Sequence, residues 1–236
     1  MATMQRLRGS LYLKDGAIGP EQLTADGRHK VEADERAWHL LSVGRDGSVQ
    51  GCARYISHEG KVSFKALGVS RSPMAKCNHW GRHFRHAVQG EITRAQRAGL
   101  SYVEVGGWAL SEELRHSTEA IRIALASYAL AEILGGCIGI TTATFRHHSA
   151  SILRRIGGSS LQDGDHDLPA YYDPNYKCEM EVLRFDSRMP NPRYAGLIQD
   201  IRESLATAAV YCPPSTRVAA HSVRSVSALG MAHAVA

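Results

Sequence analysis

The run Val103-Glu104-Val105-Gly106-Gly107-Trp108-Ala109-Leu110 opens the stretch that decides the fold. Its valines and aromatic residue read as a strand. A polar loop, Ser111 to Ser117, separates it from a long apolar helix running from Thr118 to about Leu134. A second strand follows, Cys137-Ile138-Gly139-Ile140-Thr141-Thr142-Ala143, and then a short basic helix ending Ile152-Leu153-Arg154-Arg155-Ile156-Gly157-Gly158. This order of strand, loop, buried helix, strand and helix predicts backbone N–H groups at the start of the Thr118 helix facing the splayed end of the first strand. The helix dipole favours an anion there. With the carboxylate of Glu104 at the head of that strand, the arrangement suits a phosphate-bearing acyl carrier and points toward acyl transfer.

Composition sets the outer bounds. A chain of 236 residues holds one substantial core, or one domain with appendages, and 44% hydrophobic with 22% charged residues is ordinary for a soluble globular protein. Cys52, Cys77, Cys137, Cys178 and Cys212 form no CxxC pair, which argues against a zinc knuckle or a disulfide framework. Met1 to Ser10 carries arginines without the apolar centre of a secretory signal, so a cytoplasmic, reducing location is expected. The apolar segment from Ile123 to Ile140 is interrupted by Glu132 and divided by Gly135-Gly136, which reads as a buried helix and a strand rather than a membrane span.

The net charge is +5. Its excess is local: residues 79–99 hold Arg82, Arg85, Arg94 and Arg97 against Glu91, and residues 144–156 hold Arg146, Arg154 and Arg155 with no acid. Such patches suit an anionic partner: a pantetheine phosphate, an acidic carrier protein or nucleic acid. Aromatic residues are too few and scattered to form stacking platforms for the last of these.

Outward from the central stretch, residues 1–36 are polar with scattered Gly and Pro and read as an irregular lead-in. A hairpin follows, Ala37 to Val43 and Ser48 to Ile56 about a Gly44-Arg45-Asp46-Gly47 turn. Residues 79–98 have the spacing of an amphipathic helix stopped by Gly99, with Trp80, Phe84, Val88 and Ala95 on one side and Ile92 at its margin. His79, His83, His86 and Arg97 fall opposite, and without an acidic ligand beside them no metal site is expected. Glu91 lies on the apolar side as a candidate buried hydrogen-bonding group. A loop of Ser, Gly, Gln and Asp over 159–168 leads to Leu168–Pro174, and an alternating strand from Lys177 to Phe185 and a helix within Pro190 to Ala209 complete the order. The chain after Tyr211 lacks periodicity and is expected to be a mobile, dispensable tail. One domain is thus expected over 1–186, with a C-terminal helix and tail over 187–236.

In this order the chain resembles the GNAT acyltransferase superfamily over roughly residues 37–186. Within it, the likeness is to the branch of acyl-homoserine-lactone synthases and long-chain N-acyl amino acid synthases. Gly51-Cys52-Ala53-Arg54-Tyr55 is similar to the Gly-Cys-x-Arg-Leu strand of that branch, and Glu104-Val105-Gly106-Gly107-Trp108-Ala109 to its Glu-x-Ser-Arg-Phe-Ala strand. Arg115-His116-Ser117-Thr118-Glu119-Ala120 is similar to the Arg/Gln-x-x-Gly-x-Gly/Ala phosphate loop of GNAT proteins. Thr118 stands in place of the first loop glycine, and Gly106-Gly107 replaces Ser-Arg. Leu153 stands where many GNAT enzymes carry a tyrosine general acid, so that proton is expected from Tyr171, Tyr172 or bulk water. The resemblance implies a mixed, mostly antiparallel α/β sheet with a splayed parallel pair and flanking helices. It also implies no permanently bound cofactor and an acyl-carrier-protein (acyl-ACP) or acyl-CoA thioester as donor.

Transfer of an acyl group to an amine needs a group that takes the amine's proton. Glu104, among Val103, Val105 and Trp108, is the candidate, with a pKa expected to be raised, or else an ordinary carboxylate paired to an arginine such as Arg54. A backbone N–H around Trp108 to Leu110 would meet the oxyanion, with Gly106-Gly107 marking a bulge. Arg115 and the N–H groups of His116, Ser117, Thr118 and Ala120 would hold the pantetheine phosphate. Arg54 would enter the cleft to meet an acyl carbonyl or a substrate carboxylate, or would form a buried ion pair. His147-His148 read as surface residues. If the two basic helices flank one entrance, their arginines form a single patch for an acidic carrier. The expected function is an N-acyltransferase moving a long-chain acyl group to a small amine such as an amino acid. The alternatives are an acetyl-CoA-dependent N-acetyltransferase and a non-catalytic binding or sensor module of the same fold.

Overall fold

The computed structural model describes residues 1–58, 60–115 and 117–211; His116 and the tail beyond Tyr211 lie outside them. In chain order the elements are α1 (Ala2–Lys14), β1 (Trp38–Val43), β2 (Val49–His58), α2 (Pro73–Lys76), α3 (Gly81–Arg97) and β3 (Ser101–Leu110). There follow α4 (Glu119–Ile133), β4 (Cys137–Thr144), α5 (Ser149–Ile156) and the short strands β5 (Ser159–Ser160), β6 (Gln162–Asp163) and β7 (His166–Asp167). The last elements are β8 (Tyr171–Asp173), β9 (Cys178–Asp186) and α6 (Ala195–Thr207). The main sheet runs β1-β2-β3-β4-β9-β5, with β8 also on β9, while β6 and β7 form a separate ribbon. Every pairing in the main sheet is antiparallel except β3 with β4. This is the mixed sheet with one parallel pair that the sequence predicts.

That pair comes apart. β3 and β4 are in register from Ser101 with Cys137 to Val105 with Thr141, and both strands continue beyond without pairing. On its other edge β3 carries a bulge: Cys52 opposes Ala109 and Arg54 opposes Gly106, so Gly107 and Trp108 together face Ala53. Gly107 has φ +60°, which suits a residue without Cβ. The extra residue changes the side-chain parity of the strand. Val105 and Trp108 both face α4, and Ala109 turns to the opposite face, where α1 lies.

Each face of the sheet has its own core. On one side α4 packs over Leu40, Ala53, Tyr55 and Val103, and α6 covers its outer surface through Ile198 and Ile201. This double cover is why α4 is apolar nearly all round, and it makes α6 part of the core rather than an appendage. On the other side α3 buries Phe84, Val88, Ile92 and Ala95 against Tyr102, Ile138 and Ile140; Ile92 is fully buried, not marginal. No helix of the described residues is long and apolar enough to cross a membrane.

Two features depart from the sequence reading. Residues 2–14 are not irregular: they form α1, which packs Met4 and Leu11 on Cys52 and Ala109. And the histidines of α3 do have an acid beside them, because Asp163 on β6 lies 2.6 Å from His83 Nδ1 and also contacts His86 Nδ1. Among the described residues no cluster of His, Cys, Asp or Glu has the arrangement to hold a metal ion.

Candidate active site

Where β3 and β4 separate, the structure holds a cavity of about 520 Å³, within the usual size of small-molecule sites. Its walls come from both faces of the sheet. α4 contributes Ala120, Ile121, Ala124, Ser127 and Tyr128; β3 contributes the run from Val105 to Leu110; Leu11, Tyr12 and Ala17 reach it from α1 and the turn after it. Trp108 and Leu110 therefore stand where the sequence places them. The Tyr12 hydroxyl donates to the Trp108 carbonyl at 3.2 Å, tying α1 to the bulge.

The mouth is cationic. Arg115, Arg146, His147 and Arg155 line it, and the first three surround Asp15. Arg115 Nη2 is 3.5 Å and His147 Nε2 is 3.4 Å from Asp15 Oδ2, while Arg146 donates to the Asp15 carbonyl at 2.7 Å. His147 is exposed, as its reading as a surface residue expects, and it also lines the cavity. Ser117 and Ala120 also line the cavity, but Thr118 does not. The backbone cradle expected over residues 116–120 is partly used internally. Ser117 Oγ accepts from Glu119 N–H at 3.1 Å and the Thr118 carbonyl accepts from Ile121 N–H. The Glu119 carboxylate, bonded to Ser42 Oγ, already complements the helix dipole. The positive lining here comes from side-chain cations more than from free N–H groups.

Glu104 and Arg54 lie on the sheet face turned toward α1 and α3, outside the cavity wall but beside the bulge. Arg54 pairs in register with Gly106, and Glu104 with Ile56 two positions along. The Glu104 carboxylate accepts from His58 Nε2 at 3.1 Å and from the N–H groups of Gly68 and Val69 at 3.0 and 3.1 Å. Burial alone would raise its pKa, but these three donors outweigh it and hold the carboxyl below its ordinary value. The expected raised pKa is therefore overturned, and the arginine partner is replaced by a histidine.

Arg54 meets Asp34 at 3.4 Å, and Asp34 is also gripped by Arg8 through bonds of 2.9 and 2.6 Å and by Gln5 at 3.0 Å. Burial opposes the Asp34 charge; the Arg8 and Gln5 bonds overcome it and bring its pKa to about 2. Burial keeps His29 and His39 below their ordinary values. The cluster thus holds two guanidinium cations against one carboxylate.

Tyr172 is not in the site. It is 59% exposed, and Tyr171 packs toward the core beneath α3, because β8 alternates and points the two rings oppositely. The tyrosines that line the cavity are Tyr12, Tyr128 and Tyr176. None carried a motif; Tyr128 could have been found from its place on α4, at i+4 from Ala124 and i+8 from Ala120.

No protein-family model matches the sequence, and no curated protein matches it. Solved structures do. A CoA-dependent acyl-homoserine lactone synthase, BjaI, with SAM and isopentyl-CoA aligns over 94% of this chain and 90% of its own, at 14% identity and TM-score 0.50. TofI, in a ternary complex with an inhibitor and MTA, aligns over 84% and 88% at 15% identity and TM-score 0.51. MesI, another CoA-dependent acyl-homoserine lactone synthase, aligns over 89% and 90% at 14% identity and TM-score 0.50. At such identities the likeness establishes the fold: this chain has the GNAT-like fold of the acyl-homoserine lactone synthases.

Proposed function

We propose that this protein is an N-acyltransferase, moving an acyl group from a pantetheine thioester to a small amine, of which an amino acid is the favoured class. The observation that carries this reading is the lining of the cavity where β3 and β4 part, which combines the cations Arg115, Arg146 and Arg155 with the Gly107 bulge and a mostly apolar wall from α4. A phosphate suits the mouth, a pantetheine arm suits the passage, and backbone N–H groups freed by the bulge suit the oxyanion of a tetrahedral intermediate.

The acceptor would approach from the α1 and α3 face. There Arg54 and Glu104 are diagonal neighbours on adjacent strands, about 7–8 Å apart. A carboxylate on the acceptor would balance the surplus guanidinium charge of the Arg8–Asp34–Arg54 cluster, and its ammonium would meet ionised Glu104. The amine, once its proton has passed toward Glu104, attacks the thioester carbon. The C–N bond forms, the C–S bond breaks, and the carrier leaves as a thiol after taking a proton. Leu153 at the wall offers none, so Tyr176 or Tyr12 replaces Tyr172 as the proposed donor.

For the donor, acyl-carrier protein and CoA share the pantetheine phosphate, and the mouth suits both. The single basic patch envisaged for a carrier protein has weaker support, since α3 contributes nothing to the cavity wall. The test is thiol release by purified protein from matched acyl-CoA and acyl-carrier-protein substrates in the presence of each amino acid. Release dependent on one amine supports the reading; release that never depends on an amine overturns it.

A further inference from the structure

Among the described residues that line the cavity, Asp15 is the one carboxylate, set against Arg115, Arg146, Arg155 and Arg184. Its place is unfavourable for its own helix. It is the C-cap of α1, at the end where the helix dipole is negative and favours cations. What holds the carboxylate lies across the mouth instead: Asp15 Oδ2 is 3.5 Å from Arg115 Nη2 and 3.4 Å from His147 Nε2. Both distances exceed the roughly 2.7–2.9 Å of a good charge-assisted hydrogen bond, so the grip is loose. The buried Arg8–Asp34 pair, at 2.6 Å, is the tight counterpart in the same protein. A ligand can reach the mouth groups, since the side chains of Asp15, Arg115 and His147 are 20%, 34% and 45% exposed.

The backbone of Asp15 is fixed by other bonds. Its N–H donates to the Leu11 carbonyl at 2.9 Å, and its carbonyl accepts from Arg146 Nη1 at 2.7 Å. Arg146 Nη2 in turn donates to the Lys177 carbonyl at 2.5 Å. The carboxylate can therefore turn about its own side-chain bonds while α1 and Arg146 keep their places. Because Arg146 is held here by neutral carbonyl groups, its positive charge still acts on the mouth. A carboxylate between Arg115 and His147 fills the position that a phosphate suits, and two anions there repel each other.

We propose that Asp15 is the resident counter-ion of the mouth, displaced as the donor's phosphate enters, and that its charge favours the single phosphodiester of a carrier-protein pantetheine over the several phosphate charges of CoA. This rests on the acyl-transfer reading and deepens it. Repulsion grows with the charge of the ligand, so removing the Asp15 charge helps CoA most.

The experiment is a calorimetric titration of the intact chain, wild type and Asp15→Asn, with one octanoyl group carried on CoA, on carrier protein and on pantetheine lacking a phosphate. Asp15→Asn is expected to bind the CoA thioester roughly tenfold more tightly than wild type and the carrier-protein thioester about threefold more tightly. Its affinity for the pantetheine thioester should be unchanged. Asp15→Ala, which also removes the charge, should give the same order. Unchanged or weaker binding of the CoA thioester in both variants would overturn the proposal and leave the acyl-transfer reading standing, since Asp15 would then brace the cations rather than compete for them. An equal gain for all three thioesters would overturn it too, because the effect would not act through the phosphate. An equal gain on CoA and carrier protein alone would overturn the selection between them. Binding of no thioester by any form of the protein would overturn the acyl-transfer reading and the proposal together.

Discussion

At Gly107 the backbone takes φ +60°, and a methyl group there would sit 3.2 Å from Arg54 Cβ and 3.4 Å from Arg8 Nη1. Left-handed backbone at a residue with a side chain costs about 1–2 kcal/mol. Gly107→Ala should therefore lower the melting temperature by about 2–8 °C and, by disturbing the bulge, reduce thiol release more than the stability loss alone explains. Glu104 supplies a second prediction. Its folded pKa lies below its ordinary value of 4.5, so the stability it contributes is fully present above that value and is lost as pH falls through the folded pKa. The stability gap between wild type and Glu104→Gln should accordingly be constant from pH 8 to about 5 and close below about 4.5. Denaturant titrations across that range check it. The same variant should lower turnover by on the order of 10²–10⁴ if Glu104 receives the amine proton; full turnover at neutral pH would leave it only the clamp of the Gly68–Val69 turn.

Among the elements, α1 holds the site's outer wall by a polar core beside the apolar contacts of Met4 and Leu11. Arg8 and Asp34 are each 1% exposed. Removing one partner of such a buried pair costs about 3–5 kcal/mol, so Arg8→Met should lose that much in urea unfolding, and the Arg8→Met/Asp34→Leu double variant should recover a good part of it. This polar core also explains why α1 was illegible in the sequence. Helical reading depends on an apolar period, and the buried positions Gln5, Arg8 and Gly9 break it; their partner Asp34 lies 26 residues beyond Arg8. The hairpin, β3, α4 and β4 were legible because alternation and an unbroken apolar run are local signals. The bulge was legible from Gly106-Gly107. The site was less so: Arg115, Trp108 and Leu110 fell on the cavity, but Tyr172 did not, since a one-residue ambiguity in strand parity reverses which tyrosine faces inward. His147 and Asp15 came to the mouth from helix ends far apart in sequence.

Over the whole molecule, the two basic segments are divided by the sheet. Arg85 lies over the Phe64 ring at 5.3 Å on the α3 side, whereas Arg155 and Arg115 line the cavity. Attraction of an acidic carrier should be screened by salt. Arg155→Glu should weaken use of acyl-carrier protein at low ionic strength several-fold, and Arg85→Glu should leave it within about twofold of wild type. Arg115→Ala should cost roughly 1.5–3 kcal/mol of donor affinity on either carrier, as a lost charge-assisted bond, read by calorimetry.

The most direct test of the central claim is mass spectrometry of the products formed by purified protein from one acyl thioester, on CoA and on carrier protein, with a mixture of amino acids. The account predicts a species with the mass of the acyl group joined to one amine as an amide, appearing in step with free carrier thiol and suppressed in Gly107→Ala. Free fatty acid alone, or unchanged thioester on both carriers, would contradict it.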